Sequence, residues 1–370
     1  MSTWKLGRHF SELGHEVGVF SFARQGHVEL DFGGLWHGVA DGGQSSVVNL
    51  QALKEALDSF APDIVINQMP YEREIGALLK KRKRFLLLGC LRNTLFSVKG
   101  NLTAYVRRTA PGFLGRFAEN QRLQSLFLLL HRIRHRRDLR WILDTYDRFV
   151  MFGPPNLNEL EYFIPDYDRD RIRLIPNSIP YVQATVPEKE KRILWLGRVS
   201  HEQKQAGLAL DVWSRLCGLL PDWDLDIVGE GPALAELKHR VEKDKLERIE
   251  FHGRQMPDEF YRRSALFFMT SAFEGFPNTL VEAMSYGCVP VIFDSYPVAS
   301  WIIKDQENGL LVPPFDVEEM TNGLRELAES ADRQIWAERA LAGVRQFRID
   351  QVGQKWQELF DQELSFVSVK

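Results

Sequence analysis

Short, wholly apolar runs alternate along this chain with longer stretches in which apolar residues recur every three or four positions. Leu6, Phe10 and Leu13 share one helical face, and Gly14 stands where that helix would stop. Residues 17–22 then read as a strand, and further strands are predicted at 63–67, 85–88, 149–152 and 172–175, with helical patterns between them. After the polar segment 183–191 the alternation resumes, with strands at 192–199, 225–228, 249–253, 265–270, 289–293 and 309–313 and two helices to finish. Apolar runs without polar alternation suit strands covered on both faces, and strict strand–helix alternation implies parallel sheets. The pattern divides the chain into a first doubly wound domain over 1–180, a second over 181–345, and a terminal helix over 346–370 that is expected to cross back to the first. A domain of this kind ordinarily opens on a strand and a Gly-rich turn, whereas here a helix arrives within a few residues of Met1. The first domain is therefore expected to lack its leading strand.

Composition narrows the class. Of 370 residues 44% are apolar and 26% charged, as in a globular protein, and no run approaches the roughly 20 apolar residues that span a bilayer. Cys90, Cys217 and Cys288 lie in apolar segments without CxxC spacing, which speaks against a disulfide framework or a zinc site. Charge is unevenly spread: residues 1–180 hold 25 Lys and Arg against 19 Asp and Glu, leaving the second half acidic. One basic run, 80–84, closes a helix, where it complements the helix dipole. The other, 131–137, continues a helix whose Leu123, Leu126, Phe127, Leu130 and Ile133 form an apolar stripe. Such a helix over 121–140 either rests on an anionic membrane surface or packs its stripe on the core with its arginines solvated. Nucleic acid is not an expected partner, since no stacking aromatics or known module accompany the charge.

The candidate chemistry gathers in the second half. In 271–290, SAFEGFPNTLVEAMSYGCVP, Glu274 follows an apolar strand, a Gly-Phe-Pro-Asn turn comes next, and Glu282 lies eight residues on, in a helix. A loop feeding a helix start leaves backbone N–H groups directed at one spot, which suits an anion; Asn278 and Thr279 stand there as caps or donors. Upstream, the strand ending in Gly197-Arg198 is followed by Lys204, and two cations at a strand edge suit a diphosphate. Gly229 and Gly231 follow the next strand and permit close backbone approach. In the first half, Arg92 and Asn93 follow the 85–88 strand at the carboxyl edge where ligands collect in such sheets.

LWLGRVSHEQKQ, DLDIVGEGP, FHG, SAFEGFPNTLVEAMSYGCVPV and NGLLVPPFD, in this order, resemble the donor domain of family 4 retaining glycosyltransferases of the GT-B fold. The resemblance is strong over 172–330 and mainly topological before it. It implies an α/β protein of two Rossmann-like domains facing a central cleft, with a nucleoside-diphosphate sugar, expected to be a UDP-sugar, as donor and a surface glycan, lipopolysaccharide or lipid-linked acceptor. Arg198 and Lys204 would hold the diphosphate and Glu274 the sugar. Gly197, Gly229 and Gly231 would line the donor, the amides of Gly275, Phe276, Asn278, Thr279 and Leu280 would face it, Glu282 would bind the ribose, and Phe251, Gly253 and Arg254 would border the base. Arg92 and Asn93 fall on the acceptor side, with Arg92 where many relatives carry a histidine. No metal or other cofactor is expected; Asp224-Leu-Asp226 and Asp168-Arg-Asp170 look like metal motifs of another fold but lie at a buried strand and in a linker. A cytoplasmic location, peripheral at the inner face of the plasma membrane, completes the expectation. The competing readings are a relative that binds nucleotide sugar without transferring it, and an epimerase or phosphorylase on the same fold.

Overall fold

The computed structural model describes residues 2–22, 32–37, 43–82, 84–100, 102–109, 118–180 and 182–367. The first domain runs α1 (Ser2–Glu12), β1 (Gly18–Ser21), β2 (Gly34–His37), α2 (Val47–Phe60), β3 (Ile64–Asn67), α3 (Arg73–Lys81), β4 (Leu86–Cys90), α4 (Ser97–Gly100), α5 (Leu102–Thr109), α6 (Gln121–Thr145), β5 (Arg148–Met151), α7 (Pro155–Phe163) and β6 (Ile172–Leu174). The second runs β7 (Glu190–Leu196), α8 (Ala206–Leu216), β8 (Asp224–Val228), α9 (Leu234–Asp244), β9 (Ile249–Gly253), α10 (Asp258–Arg263), β10 (Ser264–Met269), α11 (Asn278–Ser285), β11 (Val289–Phe293), α12 (Ala299–Ile302) and β12 (Leu310–Val312). Three helices then close the chain, α13 (Val317–Glu329), α14 (Arg333–Gly343) and α15 (Ile349–Val367), one more than the pattern suggested because a short break at 330–332 hides between two helical stretches.

The apolar runs became central strands because both of their faces are covered. All five residues of β4 and of β11, and all six of β10, are buried. Every strand pairing among the described residues is parallel. The second sheet has the order β12-β11-β10-β7-β8-β9, so the strand order reverses between β7 and β10. In the first domain β3-β4-β5-β6 form one sheet, while among the described residues β1 and β2 pair with each other in a second, two-stranded one. Among the described residues β1 and β3 share no ladder. β2 escaped the sequence reading because four residues, Gly-Leu-Trp-His, are too few to show a period.

The chain passes between the domains twice, and the two passages are stitched together. Ile179 donates to the carbonyl of Phe347 at 2.8 Å, and Ile349 donates to the carbonyl of Ile179 at 2.9 Å. Beyond this crossing α15 lies on the first domain, where Val352, Trp356, Leu359 and Phe360 share a core with Phe10 of α1 and with Leu86, Leu88 and Val150 of the sheet. Glu363 clamps the end of α15 to β5 and β6, pairing with Arg148 at 2.7 Å and Arg173 at 3.0 Å. Cys90 and Cys288 are buried and free, and burial pushes the Cys90 thiol up to about 12.

Candidate active site

The carboxyl ends of β7 and β10 flank the point where the strand order reverses, which is where open α/β sheets bind ligands. Gly197 and Arg198 follow β7, and the chain then loops back so that Lys204 faces Glu274, its Nζ 2.6 Å from the carboxylate. Both side chains are largely shielded from solvent, at 15% and 8% exposed. The loop is fixed from below: Thr270 donates to the Lys204 carbonyl at 2.7 Å and accepts from the Trp195 indole at 3.0 Å. Gln203 adds a second tie, its carbonyl accepting from the Ala272 amide at 2.7 Å and its side chain reaching the Phe273 carbonyl. Arg198 is exposed and makes no ion pair or hydrogen bond among the described residues, so its guanidinium is available to an anion.

The two glycine positions after β8 serve backbone proximity. Gly229 has φ 139°, and a Cβ there would lie 1.9 Å from the carbonyl oxygen of Gly197; one at Gly231 would lie 2.2 Å from that of Val199. These contacts bring the ends of β7 and β8 together beside Arg198. The Gly229 amide donates to the Gly253 carbonyl at 2.8 Å, extending the same edge to β9. Phe251 is half-buried under Lys238, and Arg254 is exposed at the far end.

The turn before α11 differs from the sequence reading in its hydrogen bonds. Asn278 and Thr279 do not cap the helix: Pro277 is the N-cap residue and makes no side-chain cap bond. The Asn278 amide donates to the Phe276 carbonyl at 2.9 Å and the Leu280 amide to the Pro277 carbonyl at 3.0 Å, so the tight turn consumes two of the donors expected to face a ligand. The amides of Gly275, Phe276 and Thr279 have no partner among the described residues. The Thr279 hydroxyl is likewise buried without a partner. The Asn278 side chain instead accepts from Asn177 of the first domain at 3.2 Å.

The first domain closes directly on this turn. A Cβ on Gly275 would stand 2.7 Å from the Asn93 Cα and 2.9 Å from the Arg92 carbonyl oxygen, so Arg92 and Asn93 do lie against the Glu274 loop. Phe276 packs between Phe152 and Phe347, with ring centroids 5.9 and 5.3 Å away. The loop carrying Arg92 is held by Glu159, which is fully buried and accepts from Thr94 and the Leu95 amide; burial raises its pKa. Glu282 lies one turn into α11, not two, and is already engaged. Its carboxylate pairs with Lys5 of α1 at 2.8 Å and accepts from the buried Tyr261 hydroxyl at 3.1 Å. Lys5, Gln203, Asn177 and Tyr261 were not picked out from sequence, since each meets its partner only across the fold.

Asp226 and Asp224 do not form an open carboxylate pair. Asp226 is fully buried and is held by Arg192 at 3.0 Å, Arg263 at 2.9 Å and His252 at 2.7 Å, a saturated cluster with two guanidiniums in it. Asp168 caps the short helical turn at Arg169–Arg171 through the Asp170 amide.

Residues 182–342 match the family model described as Glycosyl transferases group 1. Among curated proteins the chain is 31% identical over 189 residues to the amylovoran biosynthesis glycosyltransferase AmsD of Erwinia amylovora, an alignment covering 50% of this chain and 52% of AmsD. It is 29% identical over 199 residues to an exopolysaccharide phosphotransferase of Streptomyces coelicolor, covering 53% of this chain and 21% of that one. The chain thus spans about half or less of the length of these relatives. Over nearly the whole chain it superposes on Anabaena HepE solved with UDP and glucose, with a TM-score of 0.72 at 15% identity, covering 98% of this chain and 95% of HepE. The fold is GT-B, and the residues matched by the family model lie in its second half.

Proposed function

We propose that the chain is a retaining glycosyltransferase of family 4 that moves a sugar from a nucleoside-diphosphate sugar, with UDP as the nucleotide, to a polysaccharide or lipid-linked acceptor. The observation that carries this reading is the Lys204–Glu274 pair at the strand reversal of the second sheet, with Arg198 beside it. Transfer breaks the bond between the sugar's anomeric carbon and a phosphate oxygen, so negative charge grows on the diphosphate and positive charge on the sugar. Arg198 and Lys204 would stabilise the first, and the Glu274 carboxylate would lie on the sugar side. The unengaged amides of Gly275, Phe276 and Thr279 supply fixed dipoles at the same turn, which suits charge stabilisation without a metal. The acceptor hydroxyl would enter beside Arg92 and Asn93, and its proton would leave with the departing phosphate. The similarity to HepE, solved with UDP and glucose, supports the choice of nucleotide, and the similarity to AmsD supports a polysaccharide product.

The test is UDP release from a panel of UDP-sugars in the presence of glycan and lipid-linked acceptors. Glu274→Ala is expected to lower turnover about 10²- to 10³-fold, the usual cost of removing one stabilising group from a reaction centre. Undiminished turnover in that variant would remove Glu274 from the site. A second reading, donor binding without transfer, draws on the two-part sheet of the first domain. It expects a UDP-sugar to raise the thermal midpoint with no UDP released under any acceptor.

A further inference from the structure

The outer face of α6 has no partner among the described residues. Leu126, Leu129, Leu130 and Ile133 follow the i, i+3, i+4, i+7 spacing of one helical face, and each is between 51% and 55% exposed. Of the stripe read from sequence, only Leu123 and Phe127 turn toward the protein. A contiguous row of large exposed aliphatic side chains marks a contact surface, whereas isolated ones do not. Arginines bracket the row. Arg122 precedes it, and Arg132, Arg134, Arg136, Arg137 and Arg140 accompany or follow it, against one acid, Asp138, which is turned to Arg73 at 2.6 Å. Arg136 and Arg140 share Asp166, and Arg132 covers the Tyr162 ring. Arg122, Arg134 and Arg137 make no ion pair among the described residues.

The position of the row relates it to the cleft. α3 and α6 lie side by side, with Tyr71 stacked on His135, Arg73 on Asp138 and Lys80 on the Asp144 carbonyl. Tyr71 and Arg73 directly follow the carboxyl end of β3, so residues 135–138 of α6 are level with that edge of the sheet. The preceding 14 or so residues, about 21 Å of helix at ~1.5 Å per residue, overhang it. That edge is where the Arg92–Asn93 loop meets Gly275.

We propose that this face of α6 docks the protein on an anionic lipid bilayer. The four aliphatic side chains enter the boundary between headgroups and acyl chains, and the arginines extend along the surface to lipid phosphates. Charge favours a bilayer as the occupant: Arg122, Arg134 and Arg137 have no acidic partner among the described residues, and this face offers no acid of its own to pair them on a second copy, whereas anionic headgroups do. One consequence rests on the proposed function, namely that an acceptor carried on a lipid would be presented beside the mouth of the cleft.

The test is cosedimentation of the full chain with vesicles of phosphatidylcholine alone and of phosphatidylcholine mixed with phosphatidylglycerol. Binding is expected to be at least about tenfold stronger on the anionic vesicles and to fall as salt is added. Leu126→Glu with Ile133→Glu, and separately Arg134→Glu with Arg137→Glu, are expected to abolish it while leaving the thermal midpoint unchanged, since all four positions are exposed. Equal binding to both vesicle types, binding to neither, or binding that survives both double variants would overturn the proposal. A concentration-dependent dimer broken by the Leu126 and Ile133 changes, without vesicle binding, would overturn it in favour of a second copy. The UDP-induced thermal shift, measured on the same samples, reads the donor site separately, so a failure of the glycosyltransferase reading is distinguishable from a failure of docking.

Discussion

At Gly275 the two domains touch through backbone. The atoms an added Cβ would meet, the Asn93 Cα and the Arg92 carbonyl oxygen, belong to the main chain and cannot swing aside as a side chain would. Gly275→Ala is therefore expected to hold the domains apart at the mouth of the cleft. Misplacing groups by about 1 Å costs on the order of 10²-fold in rate, so kcat/KM for glycosyl transfer is expected to fall by about that factor. UDP binding, read by thermal shift, is expected to persist because Arg198, Lys204 and Glu274, the proposed donor groups, lie within one domain. Wild-type kcat/KM in the variant would show that transfer does not use this contact. Glu274, Arg198 and Lys204 were legible before the fold because each follows a strand with an unmistakable apolar run. Which amides of the turn remain free was not legible, since it depends on how tightly 275–280 winds.

At the scale of elements, α6 carries two faces of opposite fate. Its outer face is exposed, while His131 and His135 turn inward with ring centroids 5.1 Å apart, and His135 also contacts Tyr71 and Phe163. Both Nε2 atoms are buried without a partner. Burial first, then the neighbouring His131, holds the His135 pKa down to about 4; Arg134 also lowers it and Asp138 raises it. An unfolded histidine titrates near ~6.5, so between these values the unfolded chain takes up a proton that the fold refuses. Stability is complete above the unfolded value and is lost as pH falls through this window. The drop in urea midpoint between about pH 7 and about pH 5 is expected to be smaller for His135→Phe, which keeps a ring and carries no proton. Equal drops in both proteins would remove His135 as the cause. Helical spacing revealed that α6 exists and where its apolar residues lie, but the stripe spacing alone did not say which of them find a core.

Over the whole molecule, the chain's end supports its beginning. Trp356 is 5% exposed in α15 and packs against Phe10 on the first domain. Trp356→Ala is expected to cost about 3–5 kcal/mol, the usual range for truncating a buried Trp. Hydrogen exchange is expected to quicken in β4 and β5, with little change in β7 to β12; faster exchange confined to the second sheet would contradict this role for α15. The strands other than β2, their parallel pairing and the cations and carboxylate at the ends of β7 and β10 were already contained in the order of residues, because burial on both faces writes itself as apolar runs and strand ends announce themselves by Gly, Arg and Glu. Other features came only with folding, among them the pairing of Glu282 with Lys5, the closure of Arg92 and Asn93 on Gly275, and the exposure of Leu126, Leu129, Leu130 and Ile133. Each depends on surfaces contributed by segments far apart in the chain, and no local period or propensity encodes what a side chain will meet at that distance.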